Sequence, residues 1–331
     1  RLFAPPARYT RSQPMIVRSV HFGFDVPDTD ASIATLYYPA DEGSLDAARL
    51  TGLVAADRSR APWPLIIMLP GINVTPDSYR WLAIRLVQAG YCVATYASIG
   101  SLGPAGRGIT PGMDMAAFGP DMTASRCSAT ALRPLLDAIA DLNEPVQGLI
   151  DFERVAIGGH SAGGTIALHN TDPSWVPGLV CAFGFGGHTM TSMSLGHREA
   201  SVTTVPSKVP ILLLTGADDG VVAASRDRYR TDDQAHNPVQ RTFDEAIRRN
   251  QNDSWLVELA DGHHFTICDP IDETSGRSFL EAELRSTDSA ARDTLALVLL
   301  AFLSEHCREL GEQDRVEDLV GARTISRWAR R

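Results

Sequence analysis

Residues 159–164 read Gly-His-Ser-Ala-Gly-Gly, a G-x-S-x-G arrangement. A serine with glycines two positions away on each side suits a sharp turn between a strand and a helix, where larger neighbours would clash. The flanking text agrees. Val155–Gly158 is a short strand-like run, and the residues from Ala162 onward are small and compatible with a helix. On such a turn Ser161 is a candidate nucleophile for acyl transfer, because the helix start aims backbone N–H groups at the place where negative charge develops. The plainer alternative is a glycine-rich turn whose serine only caps a helix.

A serine nucleophile needs a base and an acid that orients the base. In hydrolases that carry their serine on a strand–turn–helix, the acid and then the histidine follow it along the chain. The strand-like run Ile211–Thr215 is followed by Gly216-Ala217-Asp218-Asp219-Gly220. Asp219 is the better-placed acid and Asp218 its competitor. The last strand-like run, Trp255–Leu259, is followed by Ala260-Asp261-Gly262-His263-His264-Phe265. There His264, directly before Phe265, is the preferred base and His263 the runner-up. The oxyanion of an acyl transfer needs two N–H donors. Ala162, next after the serine, supplies one. Leu69-Pro70-Gly71-Ile72-Asn73, after another apolar run, offers Ile72 as the second. His160 and His188 are candidates for substrate contact, with the simpler readings of structural neighbour and loop histidine beside them. The chemistry requires no metal and no organic cofactor.

The elements that must position these residues can be read from apolar periodicity. Met15–Phe24 and Ser32–Tyr38 alternate like antiparallel edge strands. Pro64–Leu69 is apolar throughout, as in a strand buried on both faces. After it, helix patterns (76–89, 121–142, 162–169, 242–249, 289–310) alternate with strand patterns (91–96, 155–158, 179–185, 211–215, 255–259). Pro134 should bend the second helix or shift its start. Such alternation predicts βαβ units on a mostly parallel sheet within a single domain spanning 15–310. Residues 1–14 read as an arm and 311–331 as a tail or short helix. Segments 187–205 and 222–250 are candidates for a partial lid.

Composition narrows the partners. The chain has 331 residues and a formal net charge of −10, which disfavours binding to phosphate backbones; a small-molecule ester is the expected partner. No apolar run reaches the length of about 18 residues that suggests a membrane helix. Five cysteines, none at C-x-x-C spacing, exclude a zinc ribbon and lean towards a reducing, cytoplasmic setting. A removed signal peptide, or one bridge such as Cys268 to Cys307, remains compatible with the text.

Taken together, the segments 69–72, 81–91, 159–164, 216–219 and 262–265 resemble the α/β-hydrolase superfamily. The branch in view contains dienelactone hydrolases, chlorophyllases, platelet-activating-factor acetylhydrolases and polyester-degrading cutinases. The resemblance implies the α/β-hydrolase fold and a serine esterase with Ser161, Asp219 and His264 as its triad. It implies Ile72 and Ala162 as oxyanion donors. The same triad would serve an amidase, lactonase, thioesterase or acyltransferase, and a non-catalytic binding protein would keep the fold alone. The chain departs from the secreted cutinases in having no cysteine near Asp219 to bridge Cys268, and in carrying Ile72 where polyester hydrolases often place an aromatic.

Overall fold

The computed structural model describes residues 15–41, 49–103, 106–229, 237–248, 253–271, 289–307 and 315–331. Among the described residues ten strands form one sheet. In chain order they are β1 (Ile16–Gly23), β2 (Thr29–Ala40), β3 (Trp63–Leu69), β4 (Cys92–Ser101), β5 (Arg107–Thr110), β6 (Ile150–His160), β7 (Leu179–Phe185), β8 (Ile211–Gly216), β9 (Trp255–Leu259) and β10 (Ile325–Arg330). The spatial order is β1-β2-β4-β3-β6-β7-β8-β9-β10, with β5 folded back on β4. The run from β4 through β3, β6, β7 and β8 to β9 is parallel. The outer pairings β1–β2, β2–β4 and β9–β10 are antiparallel. The longer helices are α1 (Arg80–Gln88), α2 (Leu132–Ala140), α3 (Ala162–His169), α4 (Gly220–Tyr229) and α5 (Ser289–Cys307).

The apolar run that predicted β3 is explained by what covers it. Ile66 and Met68 join a core with Leu82 and Leu86 of α1 and with Leu295, Leu299 and Phe302 of α5. Leu65, Ile67 and Leu69 point to the other face and meet Leu132, Leu135 and Ile139 of α2 and Ile166 of α3. A strand with helices on both sides has no polar face, so its sequence cannot alternate. Each such side chain contributes roughly 1.5–3 kcal/mol on burial. A rigid sheet of this kind fixes the C-terminal ends of β3, β6, β7, β8 and β9, where the loops that carry the chemistry emerge.

Several expectations need correction. The helix expected over 121–142 starts only at Leu132, which puts Pro134 in its first turn, where a missing N–H costs no helical bond. The turn before it is held instead by Asn170, whose Oδ1 accepts from Ser128 N–H at 3.0 Å. The helix expected at 242–249 begins earlier, where Asn237 caps Pro238, and ends in a single π turn over Thr242–Ala246. Val239 and Phe243 of this stretch are buried in a core cluster with Leu213 and Leu256. In the segment read as a tail or short helix, Val316–Leu319 is a short helix, and beyond it β10 pairs with β9 to close that edge. The terminal arginines are structural there, with Arg330 over the Trp255 ring at 4.8 Å and Arg331 bonded to Asp244 at 3.0 Å. Cys307 lies beside Cys181, Sγ to Sγ 3.4 Å, and none of the described cysteines forms a disulfide. The proposed arm 1–14 lies outside the described residues.

Candidate active site

Ser161 sits between β6 and α3 with φ 54° and ψ −120°, a conformation that few residues with a side chain adopt. The surrounding glycines allow it. A Cβ on Gly163 would lie 2.2 Å from Leu69 O, and one on Gly159 would lie 2.7 Å from the same oxygen. The elbow therefore packs directly on the end of β3, and that contact brings the serine to the Gly71–Asn73 loop. Ser161 N–H donates to Phe185 O at 2.8 Å and Ser161 O accepts from Thr165 N–H at 2.9 Å, which ties the turn to β7 and α3.

Two N–H groups border this turn without a protein partner among the described residues. Ala162 N–H belongs to the first residue of α3, a position whose N–H has no helical acceptor. Ile72 N–H makes no hydrogen bond, while both neighbours are held. Gly71 N–H donates to Tyr79 Oη at 3.0 Å. Asn73, at φ 57°, donates its N–H to Ile109 O at 3.0 Å, and its Oδ1 accepts from Ile109 N–H, also at 3.0 Å. One asparagine thus presents a strand-like donor and acceptor to β5.

The acid and histidine loops are fastened to each other. Gly216 and Gly262 approach so closely that a Cβ on Gly216 would lie 2.1 Å from Gly262 O. Asp218 N–H donates to that same Gly262 O at 2.9 Å. The chain then delivers Asp219 to His264: Oδ2 accepts from Nδ1 at 2.9 Å, with both side chains nearly sealed from solvent. The second carboxylate oxygen, Oδ1, caps α4 by accepting from Val222 N–H at 2.8 Å.

Of the paired candidates, the structure places Asp219, not Asp218, against His264. His263 serves its own turn: its Nδ1 accepts from Phe265 N–H at 3.1 Å and its N–H donates to Thr266 Oγ1 at 2.9 Å. His160 is 1% exposed and spends both ring nitrogens on the protein, on Tyr79 Oη and His264 O, each at 3.0 Å. That engagement leaves it no nitrogen for substrate. Burial first, and the nearby His264 second, hold His160 well below the ordinary imidazole range, so it is neutral. His188 lies on the loop after β7, where its carbonyl accepts from Thr165 Oγ1 at 2.9 Å. In the other lid candidate, 187–205, His197 Nε2 bonds to Phe118 O at 2.5 Å.

Four residues around the site carried no assigned role in the sequence. Tyr79 and Asn73 hold the Ile72 loop. Arg292 of α5 supports the histidine turn from behind, donating to Thr266 O at 3.2 Å and Cys268 O at 2.7 Å. Gly186, at φ 62°, leaves room for the acid–base pair: a Cβ there would lie 2.8 Å from His264 Nδ1. The glycine pair 186–187 at the end of β7 was the one local signal for the last of these. Among the described residues no group of three or more His, Cys, Asp or Glu could hold a metal ion, and no helix is long and apolar enough to cross a membrane.

Comparison with known proteins bears on this arrangement. Residues 121–266, which include Ser161, Asp219 and His264, match a family model described as phospholipase/carboxylesterase. No curated protein matches the sequence. Among solved structures the chain is similar in fold to a ferulic acid esterase from Streptomyces cinnamoneus. The TM-score is 0.58 at 18% identity, over 95% of this chain and 97% of that one. With the strand order and the serine elbow in agreement, the chain has the α/β-hydrolase fold, and its segment 121–266 is similar to phospholipases and carboxylesterases.

Proposed function

We propose that the chain hydrolyses a small-molecule carboxylic ester through an acyl-enzyme, with Ser161 as nucleophile, His264 as base and Asp219 as the acid that orients it. The buried 2.9 Å pair between His264 Nδ1 and Asp219 Oδ2 carries the proposal. With Nδ1–H donated to the carboxylate, the imidazole is the tautomer whose Nε2 is free to accept a proton. His264 takes the Ser161 proton as Oγ attacks the acyl carbon, and Asp219 stabilises the imidazolium. The N–H groups of Ile72 and Ala162 receive the oxyanion. The alcohol leaves with the proton from His264, and water repeats the cycle on the acyl-enzyme. The structural neighbour is a ferulic acid esterase, which makes an aromatic acyl ester a natural member of the substrate panel.

The test is hydrolysis of p-nitrophenyl esters from acetate to palmitate, with methyl ferulate beside them, by wild type and Ser161→Ala. A fluorophosphonate label is mapped by mass spectrometry in parallel. The expected result is a label on Ser161 and a loss of about 10⁴-fold or more in kcat for the variant. Activity that survives in Ser161→Ala, or a label that maps elsewhere, overturns the assignment.

A further inference from the structure

We propose that Tyr79 and His160 are positioning residues that hold the oxyanion loop and the base in one hydrogen-bonded chain. The inference rests on the triad reading above and deepens it. Its evidence is the direction of each bond. Gly71 N–H donates to Tyr79 Oη at 3.0 Å, and a backbone amide can only donate. The tyrosine proton is therefore free for His160 Nδ1, also at 3.0 Å. An imidazole that accepts at Nδ1 carries its own proton on Nε2 when neutral, and this proton meets His264 O at 3.0 Å. The chain runs Gly71 N–H to Tyr79 O–H to His160 Nδ1, then His160 Nε2–H to the carbonyl of His264.

No link can be reversed. The tyrosine cannot turn its proton on an amide donor, and the His264 carbonyl can only accept. The direction requires both side chains to stay neutral, and burial enforces this: it holds the Tyr79 phenol well above its usual range and His160 well below its own. The ends of the chain are the functional point. Gly71 precedes Ile72, whose N–H is the proposed oxyanion donor. His264 is the proposed base, and its ring lies 4.8 Å from that of His160. Neither Tyr79 nor His160 touches the reacting atoms. They set the distance between the group that receives the negative charge and the group that moves the proton, a distance to which rates are steeply sensitive.

The experiment compares wild type, Tyr79→Phe, His160→Leu, the double variant and His160→Gln on p-nitrophenyl acetate. Ser161→Ala and fluorophosphonate labelling run alongside, so that failure of the triad reading shows separately as activity that does not depend on Ser161. Each protein is assayed well below its own Tm. Tyr79→Phe and His160→Leu are each expected to lower kcat about 10- to 100-fold with KM within about threefold, because the interaction matters in the transition state and not in substrate binding. The double variant should be no worse than about threefold below the poorer single one, since either change breaks the same chain. His160→Gln, which keeps an acceptor and a donor, should recover most of the activity lost in His160→Leu. If Tyr79→Phe does not fold, the Gln and Leu variants read the chain from its other end. Singles within twofold of wild type, losses that multiply in the double variant, or equal activity of Gln and Leu at position 160 would each overturn the proposal.

Discussion

Replacing Gly186 by alanine tests the site without touching any group proposed to react. Two effects follow from the structure. Gly186 has φ 62°, a left-handed conformation that costs a residue with a Cβ about 1–2 kcal/mol. The new methyl group would also stand 2.8 Å from His264 Nδ1 and 3.2 Å from Asp219 Oδ2. To restore an ordinary contact of about 3.5 Å the imidazole must shift by about 0.7 Å from its place against the carboxylate. A displacement near 1 Å at a reacting group costs about 10²-fold, so kcat/KM should fall about 10- to 100-fold. Gly148 supplies the control: its φ is 67°, and an added Cβ would meet nothing within 4 Å. Gly148→Ala carries the backbone cost alone, so it should lose about 1–3 °C in Tm and keep its activity, while Gly186→Ala should lose at least as much in Tm and lose activity as well. The assay is steady-state hydrolysis of p-nitrophenyl acetate with thermal unfolding by circular dichroism. A folded Gly186→Ala enzyme within twofold of wild type would show that the Asp219–His264 contact does not control the reaction.

Two further outcomes follow from the same geometry. Asn73→Gly accepts the left-handed backbone but removes the Oδ1 that bonds Ile109 N–H; kcat should fall about 3- to 10-fold with KM held, and an unchanged kcat would mean that the β5 contact does not position Ile72. Burial first, and His197 second, push buried His169 down to about 4, so between its ordinary 6.5 and about 4 the unfolded chain takes up a proton that the folded chain refuses. Its contribution is complete above pH 6.5 and is lost as pH falls through that window, by up to about 3 kcal/mol. Urea midpoints of wild type and His169→Gln at pH 7 and pH 4.5 check the sign: wild type should lose more, and parallel losses would refute it.

The sequence made the parallel sheet legible because β3, β7 and β8 are buried on both faces and therefore apolar throughout. It made Ser161 legible because the contact of the elbow with Leu69 O admits only glycine at 159 and 163, and glycine spacing survives in the text. Asp219 and Asp218 were adjacent candidates, as were His264 and His263. A separation of one residue decides which side chain turns inward, and that depends on the Gly216–Gly262 contact between two distant loops. Tyr79 and Asn73 were unreadable for a related reason: each acts through a bond to a residue far away in sequence, with no local pattern to mark it. β10 escaped because Ile325–Arg330 is arginine-rich and its Trp328 is half exposed, so it lacks the apolar alternation of a covered strand.

The direction of β10 bears on how this protein can be attached to other things. Arg330 pairs with Trp255 at the start of β9, while His264 follows the end of β9, so Arg331 lies on the side of the sheet opposite the serine elbow. Ile16 pairs with Ala40 on that same side, because β2 runs antiparallel to β4. A carrier, resin or surface attached at residue 331 therefore meets the back of the sheet. A chain tethered this way faces outward, with Ser161 turned to the solution.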